Sequence, residues 1–377
     1  MFDIPLIRPV MDDNVKRRVL AVLESGQLSD GAVTHELEER VAAWLGAPQC
    51  VAVTSCTTGL ELALRAVGVG PGDRVLLPAY TYPATADAVL IVGGVPVLVD
   101  VDPATLLMDA TALELALADG AKAVMPVSLF GNPVDYAHLN TLKRAHGFFV
   151  IEDAACALGA RFAGARVGVQ ADISVFSLHP RKFITSGEGG LITTSDQALA
   201  DFMRSYKHFG MPCAGGVFTP MQFERPGTNY KLSNVLSAIA LGQLDRVDEL
   251  LEERIALAER YRELLGGQPG VTLPLVTPGG AHSWQTFCVC IPRRDQVLAV
   301  LRGRGIEVQI GSIDIARQRA FQGPQCDIRG ACPGAAQAAA TALALPLFHG
   351  MTRTQQERVA KELLQELADL PAPLRAS

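Results

Sequence analysis

In the segment 175–190, VFSLHPRKFITSGEGG, an apolar run ends in His179-Pro180-Arg181-Lys182 and is followed at once by a glycine-rich turn. A lysine just past a buried strand loses part of its hydration. That lowers its pKa and suits its amine to hold a carbonyl compound as a Schiff base. A surface lysine beside a turn is the plainer alternative. Ser177 closes the same apolar run. Three other strand ends carry complementary groups. Ser55-Cys56-Thr57-Thr58-Gly59 stands between a strand pattern and a helix pattern. Free amides, the helix dipole and hydroxyls there favour a phosphate, although serine and threonine are also ordinary caps. Asp153 follows the buried-strand run GFFVI. A carboxylate emerging from such a strand needs a cation or several donors, or else caps the next segment. Tyr80 and Tyr82 follow DRVLLPA, and either could stack on a flat ring or simply be a buried tyrosine. In chain order these are a phosphate cradle, an aromatic ring, a carboxylate for a ring nitrogen and a Schiff-base lysine. Pyridoxal 5′-phosphate requires all four.

Elements that hold strand ends together must form an open α/β sheet, because ligands collect where its strands meet loops at their carboxyl ends. The patterns agree. CVAVTS, DRVLLPAY, VPVLVDVD, AKAVMPVSLFG, FFVIEDAA, ISVFSLH and GGLITTS read as strands. ELEERVAAWLGA, TTGLELALRAVGVGPGD, TADAVLIVGG, DATALELALADG and DYAHLNTLKRAHG read as helices. Apolar strands with helical crossovers predict a mostly parallel sheet of seven strands covered on both faces. From 232 to 267 the pattern becomes one long helix, its second half carrying interleaved charges that suit a solvated face. It leads into a smaller C-terminal lobe with strands near SWQTFCVCIP and IEVQI and helices at RDQVLAVLRGRG, GAAQAAATALALP and TRTQQERVAKELLQELADL. Thr352 and Gln355 form a capping-box pattern at the start of the last. The expected division is a large cofactor-binding domain, 1–245, and a small α+β domain, 246–377.

The chain has 377 residues, 49% of them apolar, and a net charge of −6. No basic cluster is denser than Lys143-Arg144 or Arg293-Arg294, which argues against nucleic acid and against an anionic membrane surface. No apolar run reaches transmembrane length, and the first residues lack the pattern of a signal peptide. The eight cysteines form no CxxC pair. Cys288 and Cys290, two apart in a strand pattern, share a face and suit packing rather than a metal. No metal site is expected, and a reducing, cytoplasmic setting is.

The sequence resembles the DegT/DnrJ/EryC1/StrS aminotransferases. The likeness lies in SGQLSDGAVTHELEERVAAWLGA, GPGDRVLLPAYTYPATADAVLIVGGVPVLVDVDPAT, LFGNPVDY, IEDAACALGA, FSLHPRKFITSGEGG, GTNYKLSNVLSAIALGQL and LALPLFHGMT. It implies a fold-type I, aspartate aminotransferase-like architecture and a homodimer whose active sites are shared across the interface. It implies transfer of an amino group from L-glutamate or L-glutamine to a ketone, above all on a keto-deoxysugar nucleotide. Lys182 would hold pyridoxal phosphate and Asp153 would partner its ring nitrogen. Ser177, Cys56 and Thr57 would bind the phosphate, Tyr82 would lie over the ring, and Asn229 would reach the phosphate of the neighbouring subunit. Lys182 also speaks against the dehydrating relatives, which carry histidine there. Three positions depart from the family pattern. Cys156 replaces a glutamine or histidine that touches the cofactor's phenolic oxygen, Cys56 replaces a glycine, and Gln285 replaces a histidine in the lobe that helps form the substrate entrance. Two other readings stand beside this one: an acceptor that is a cyclitol or other small carbonyl compound, and a non-catalytic regulatory homologue.

Overall fold

The computed structural model describes residues 2–219 and 221–369. Its centre is an eight-stranded sheet. From one edge the strands run Gln49–Val53, Gly190–Thr194, Ile173–Ser177, Phe149–Asp153, Ala123–Val124, Arg74–Pro78, Val95–Val99 and Asp327–Ile328. From Ile173–Ser177 to the far edge all pairings are parallel, whereas Gly190–Thr194 is antiparallel to both of its neighbours. The sheet thus has one strand more than expected. Asp327–Ile328 comes from the C-terminal half and adds to Val95–Val99, covering the middle of an otherwise bare edge. Helices cover both faces, and each face has its own core. One is built on Val51, Val53, Leu60, Val75 and Val175, the other on Ala52, Leu76, Val97, Val150 and Phe176. Neighbours in one strand appear in opposite cores because side chains alternate across a sheet.

The sequence 232–267 forms two helices, Asn234–Leu244 and Val247–Leu265, rather than one. The break falls at Asp245 and Arg246. Asp245 ends the first helix and pairs with Arg18 and Arg40, while Arg246 leaves helical geometry (φ −123°, ψ 18°) and reaches Asp12 and Glu249. The pairs to Arg18, Arg40 and Asp12 tie the turn to elements far away in sequence, which periodicity does not register. GAAQAAATALALP also divides, into the helix Pro333–Thr341 and the strand Ala342–Leu345. All four residues of that strand are buried, and it pairs with both Phe287–Cys290 and Gln309–Ile310. The final helix, Arg353–Asp369, begins as expected: Thr352 Oγ1 accepts from Gln355 N (3.2 Å) and Gln355 Oε1 from Thr352 N (2.9 Å). Leu370, where its pattern ends, lies outside the described residues. Cys288 and Cys290 both pack on the first core. Among the described residues no cluster of His, Cys, Asp or Glu suits a metal ion, and no helix is long and apolar enough to cross a membrane.

We propose the turn at 245/246 as the boundary between the two domains. A third core, built on Tyr261, Trp284, Phe287, Val297, Leu301 and Leu363, lies beyond it. Several segments cross the divide: Asp327–Ile328 joins the large sheet, Ile313–Asp314 pairs with Tyr80–Thr81, and Ile4 packs in the third core.

Candidate active site

The carboxyl ends of the parallel strands open into a cavity of about 470 Å³. Cys56, Thr57, Tyr82, Asp153, Cys156, Ser177 and Lys182 all line it, although they come from widely separated segments. Ser55 caps the helix Cys56–Ala66: its Oγ accepts from Thr58 N (3.1 Å), and Thr58 Oγ1 accepts from Ser55 N (3.1 Å). The capping reading therefore holds for Ser55. Cys56 and Thr57 are the first two helical residues, whose amides have no partner within a helix and face the positive end of the dipole. Two glycines let this terminus sit close to the sheet. A Cβ on Gly59 would stand 2.7 Å from Val175 Cγ1, and one on Gly190 would stand 2.6 Å from the Ser55 carbonyl oxygen.

Asp153 ends its strand almost fully buried. Its carboxylate accepts from Thr85 Oγ1 (2.8 Å) and Ala155 N (3.2 Å). Burial pushes its pKa up, against the opposing pull of Thr85, Ala155 and Lys182. Glu152, its neighbour, points to the opposite face, where the hydroxyls of Ser128, Tyr136 and Ser174 donate to it. Only one of the two acids therefore faces the cavity. Lys182 Nζ donates to Cys156 Sγ at 3.0 Å. Burial pushes the Lys182 pKa down, but Cys156 above all, with Cys56 and Asp153, outweighs it and the net shift is upward. The expected lowering thus fails, because a sulfur partner brought in by tertiary packing wins over desolvation. Tyr82 is 68% exposed, whereas Tyr80 is fully buried and its hydroxyl accepts from Ser312 N (2.7 Å). Asn229 does not line the cavity; it is exposed, with its backbone bridged to His208.

A family model for DegT/DnrJ/EryC1/StrS aminotransferases matches residues 9–364. The chain belongs to that family. Similar solved structures include the aminotransferase TlmJ from Streptoalloteichus hindustanus, 30% identical, with a TM-score of 0.89 over 97% of this chain and 99% of that one. DesV from S. venezuelae, in complex with a ketimine intermediate, is 29% identical, with a TM-score of 0.88 over 98% and 100%. A 3-amino-5-hydroxybenzoic acid synthase is 28% identical, with a TM-score of 0.89 over 95% and 97%. Membership makes this DegT-family chain a pyridoxal-phosphate-dependent aminotransferase of fold type I.

Several contacts around the DegT-family cavity carry no mark in the sequence. Thr85 meets Asp153 from a helix 68 positions away. Gln285, a departure from the family pattern, turns its carboxamide toward the lysine loop: Oε1 accepts from Phe183 N (3.1 Å) and Nε2 donates to Arg181 O (2.8 Å). One wall is apolar, with Leu6, Ile7, Phe130, Ile310, Leu345 and Leu347. The pairing partners of these residues lie too far apart in the chain for spacing to reveal them.

Proposed function

We propose that the protein moves an amino group from L-glutamate or L-glutamine to a ketone on a deoxysugar nucleotide. The observation that carries this reading is the meeting of Lys182, Asp153, Ser177 and a helix N-terminus in one cavity. The donor set fits pyridoxal phosphate. The amides at Cys56 and Thr57 and the Ser177 hydroxyl suit the phosphate, Asp153 the ring nitrogen, Tyr82 the ring face and Lys182 the aldehyde. When bound, that group supplies an electron sink for the carbon next to the transferred nitrogen. The chain's own residues do the rest. Asp153, whose carboxylate is supported by Thr85 and Ala155, would stand against the ring nitrogen and favour its protonated form. With the amino donor in the lysine's place on that group, Lys182 Nζ would take the donor's α-proton as general base and then, as general acid, deliver it to the carbon that had carried the aldehyde. Cys156, whose sulfur accepts from Lys182 and is at best a weak donor, would give the phenolic oxygen little hydrogen bonding. We assign Asn229 to the phosphate of the other subunit in a homodimer, in keeping with its exposure and its absence from its own cavity. All eight cysteines are unpaired, as suits a reducing cytoplasm.

A second acceptor class, a small carbocyclic ketone, is favoured by the apolar wall and by the likeness to 3-amino-5-hydroxybenzoic acid synthase. Profiling donors and ketones with the purified enzyme separates the two. Borohydride reduction followed by peptide mass spectrometry tests the site. We expect the cofactor on Lys182, and its recovery on any other lysine would sink the assignment.

A further inference from the structure

The lysine loop between Leu178 and Gly189 is irregular and is buried from Phe183 to Ser186, so its peptide groups there need partners that no strand provides. Two glutamine side chains provide them. Gln243, on the helix Asn234–Leu244, accepts from Thr185 N (3.2 Å) and donates to Thr185 O (2.5 Å). Gln285, from the C-terminal lobe, accepts from Phe183 N and donates to Arg181 O, the peptide groups on either side of Lys182. Gln285 is itself held fast. It is 6% exposed, and the buried Arg254 donates from one nitrogen to the carbonyls of Trp284 and Gln285, both at 3.1 Å. The same guanidinium lies 5.6 Å from the centre of the Phe183 ring. Two residues before Gln285, Ser283 Oγ donates to the Cys156 carbonyl (3.4 Å), and Ser283 N donates to Gly131 O (3.0 Å). One short segment, 283–285, therefore grips the backbone of both Lys182 and Cys156, whose side chains meet at 3.0 Å.

We propose that Gln285 is a positioning residue for Lys182, its carboxamide holding the peptide units on both sides of the lysine and so setting where the amine stands in the cavity. This rests on the reading of Lys182 as the residue that holds the cofactor. The position demands one donor and one acceptor about as far apart as the two ends of a carboxamide. A neutral imidazole meets that demand, since one ring nitrogen donates while the other accepts. A leucine of similar size meets none of it.

The test compares wild type, Gln285→Leu and Gln285→His as purified full-length proteins at pH 8. Each is mixed with saturating pyridoxal phosphate and quenched with borohydride at intervals, and label on Lys182 is counted by mass spectrometry. Gln285→Leu should label Lys182 about tenfold to a hundredfold more slowly than wild type, the scale of loss when a reacting group is misplaced by about an ångström. Gln285→His should recover most of that rate. Should the leucine variant not fold, Gln285→Met, of similar length and with neither donor N–H nor acceptor oxygen, takes its place. Labelling of Lys182 at the wild-type rate in the leucine or methionine variant overturns the proposal, as does a histidine variant as slow as either. Label on another lysine in wild type overturns the underlying reading and this proposal with it.

Discussion

Cys156 stands 3.0 Å from the lysine it faces, so the two cannot be understood apart. Burial would lower the Lys182 pKa, and Cys156 is the chief reason that it rises instead. Cys156→Ala should therefore move the pH midpoint for covalent cofactor attachment downward, because more of the amine is neutral at a given pH. Stopped-flow absorbance carried from pH 8 up to about pH 12, past the ordinary lysine value, checks this, and an unmoved or raised midpoint would show that the sulfur does not set the amine's state. Asp153→Asn keeps the partner to Thr85 but removes the charge against the ring nitrogen. Turnover should fall by about two orders of magnitude or more, while cofactor retention measured by equilibrium dialysis falls far less. Comparable loss of both would mean that Asp153 chiefly holds the cofactor in place.

At the scale of elements, the helix Cys56–Ala66 reaches the cavity because Gly59 and Gly190 make room for it. Gly190→Ala sets a methyl group against the Ser55 carbonyl and the Cys56 amide, backbone atoms that cannot rotate away. We expect a loss of about 1–3 kcal/mol in denaturant titration, together with weaker cofactor binding. Gly70→Ala, where a Cβ meets nothing within 4 Å, should stay within about 0.5 kcal/mol. A second element-scale effect lies beside Gln285. His282 stacks on Trp284 with ring centres 3.9 Å apart, and its Nδ1 accepts from Trp284 N. Burial, aided by the charge of Arg262, pushes its pKa from 6.5 down to about 3. A folded-state pKa below the unfolded one means that the neutral ring stabilises the fold above pH 6.5, and that this contribution drains away as pH falls toward 3. Between pH 7.5 and pH 5, wild type should lose up to about 2 kcal/mol that His282→Asn does not. Equal losses in both would place the titration elsewhere. Much at this scale was legible beforehand. The capping box of Thr352 and Gln355 is local, and the apolar strands announced themselves. The break at Asp245, the strand Ala342–Leu345 and the grip of Gln285 were not legible, since each depends on partners brought in by folding. The upward shift of Lys182 was hidden for the same reason: residues 156 and 182 show no spacing that marks them as neighbours.

At the scale of the whole molecule, the assignment of Asn229 to its partner's phosphate predicts complementation. Asn229→Asp sets a carboxylate against a phosphate dianion, and Lys182→Ala removes the amine, so either variant alone should be nearly inactive at limiting cofactor. Co-refolded in equal amounts, about half of the dimers would be mixed, each with one intact site, and roughly a quarter of wild-type activity should return. Mixed dimers that form without activity would show that Asn229 serves its own subunit. The first residues carry a different consequence. Asp3 and Ile4 donate to Gly305 O, Glu307 N donates to Ile4 O, and Leu347 N donates to Leu6 O. During synthesis Ile4 leaves the ribosome about 300 residues ahead of Ile306, which at translation rates of roughly 5–20 residues per second is a wait of about fifteen seconds to a minute. The large sheet can gather its first seven strands in that interval, but the beginning of the chain must stay unclaimed until the last lobe is made. A fluorescent reporter on Asp3 should accordingly register the close of folding rather than its onset.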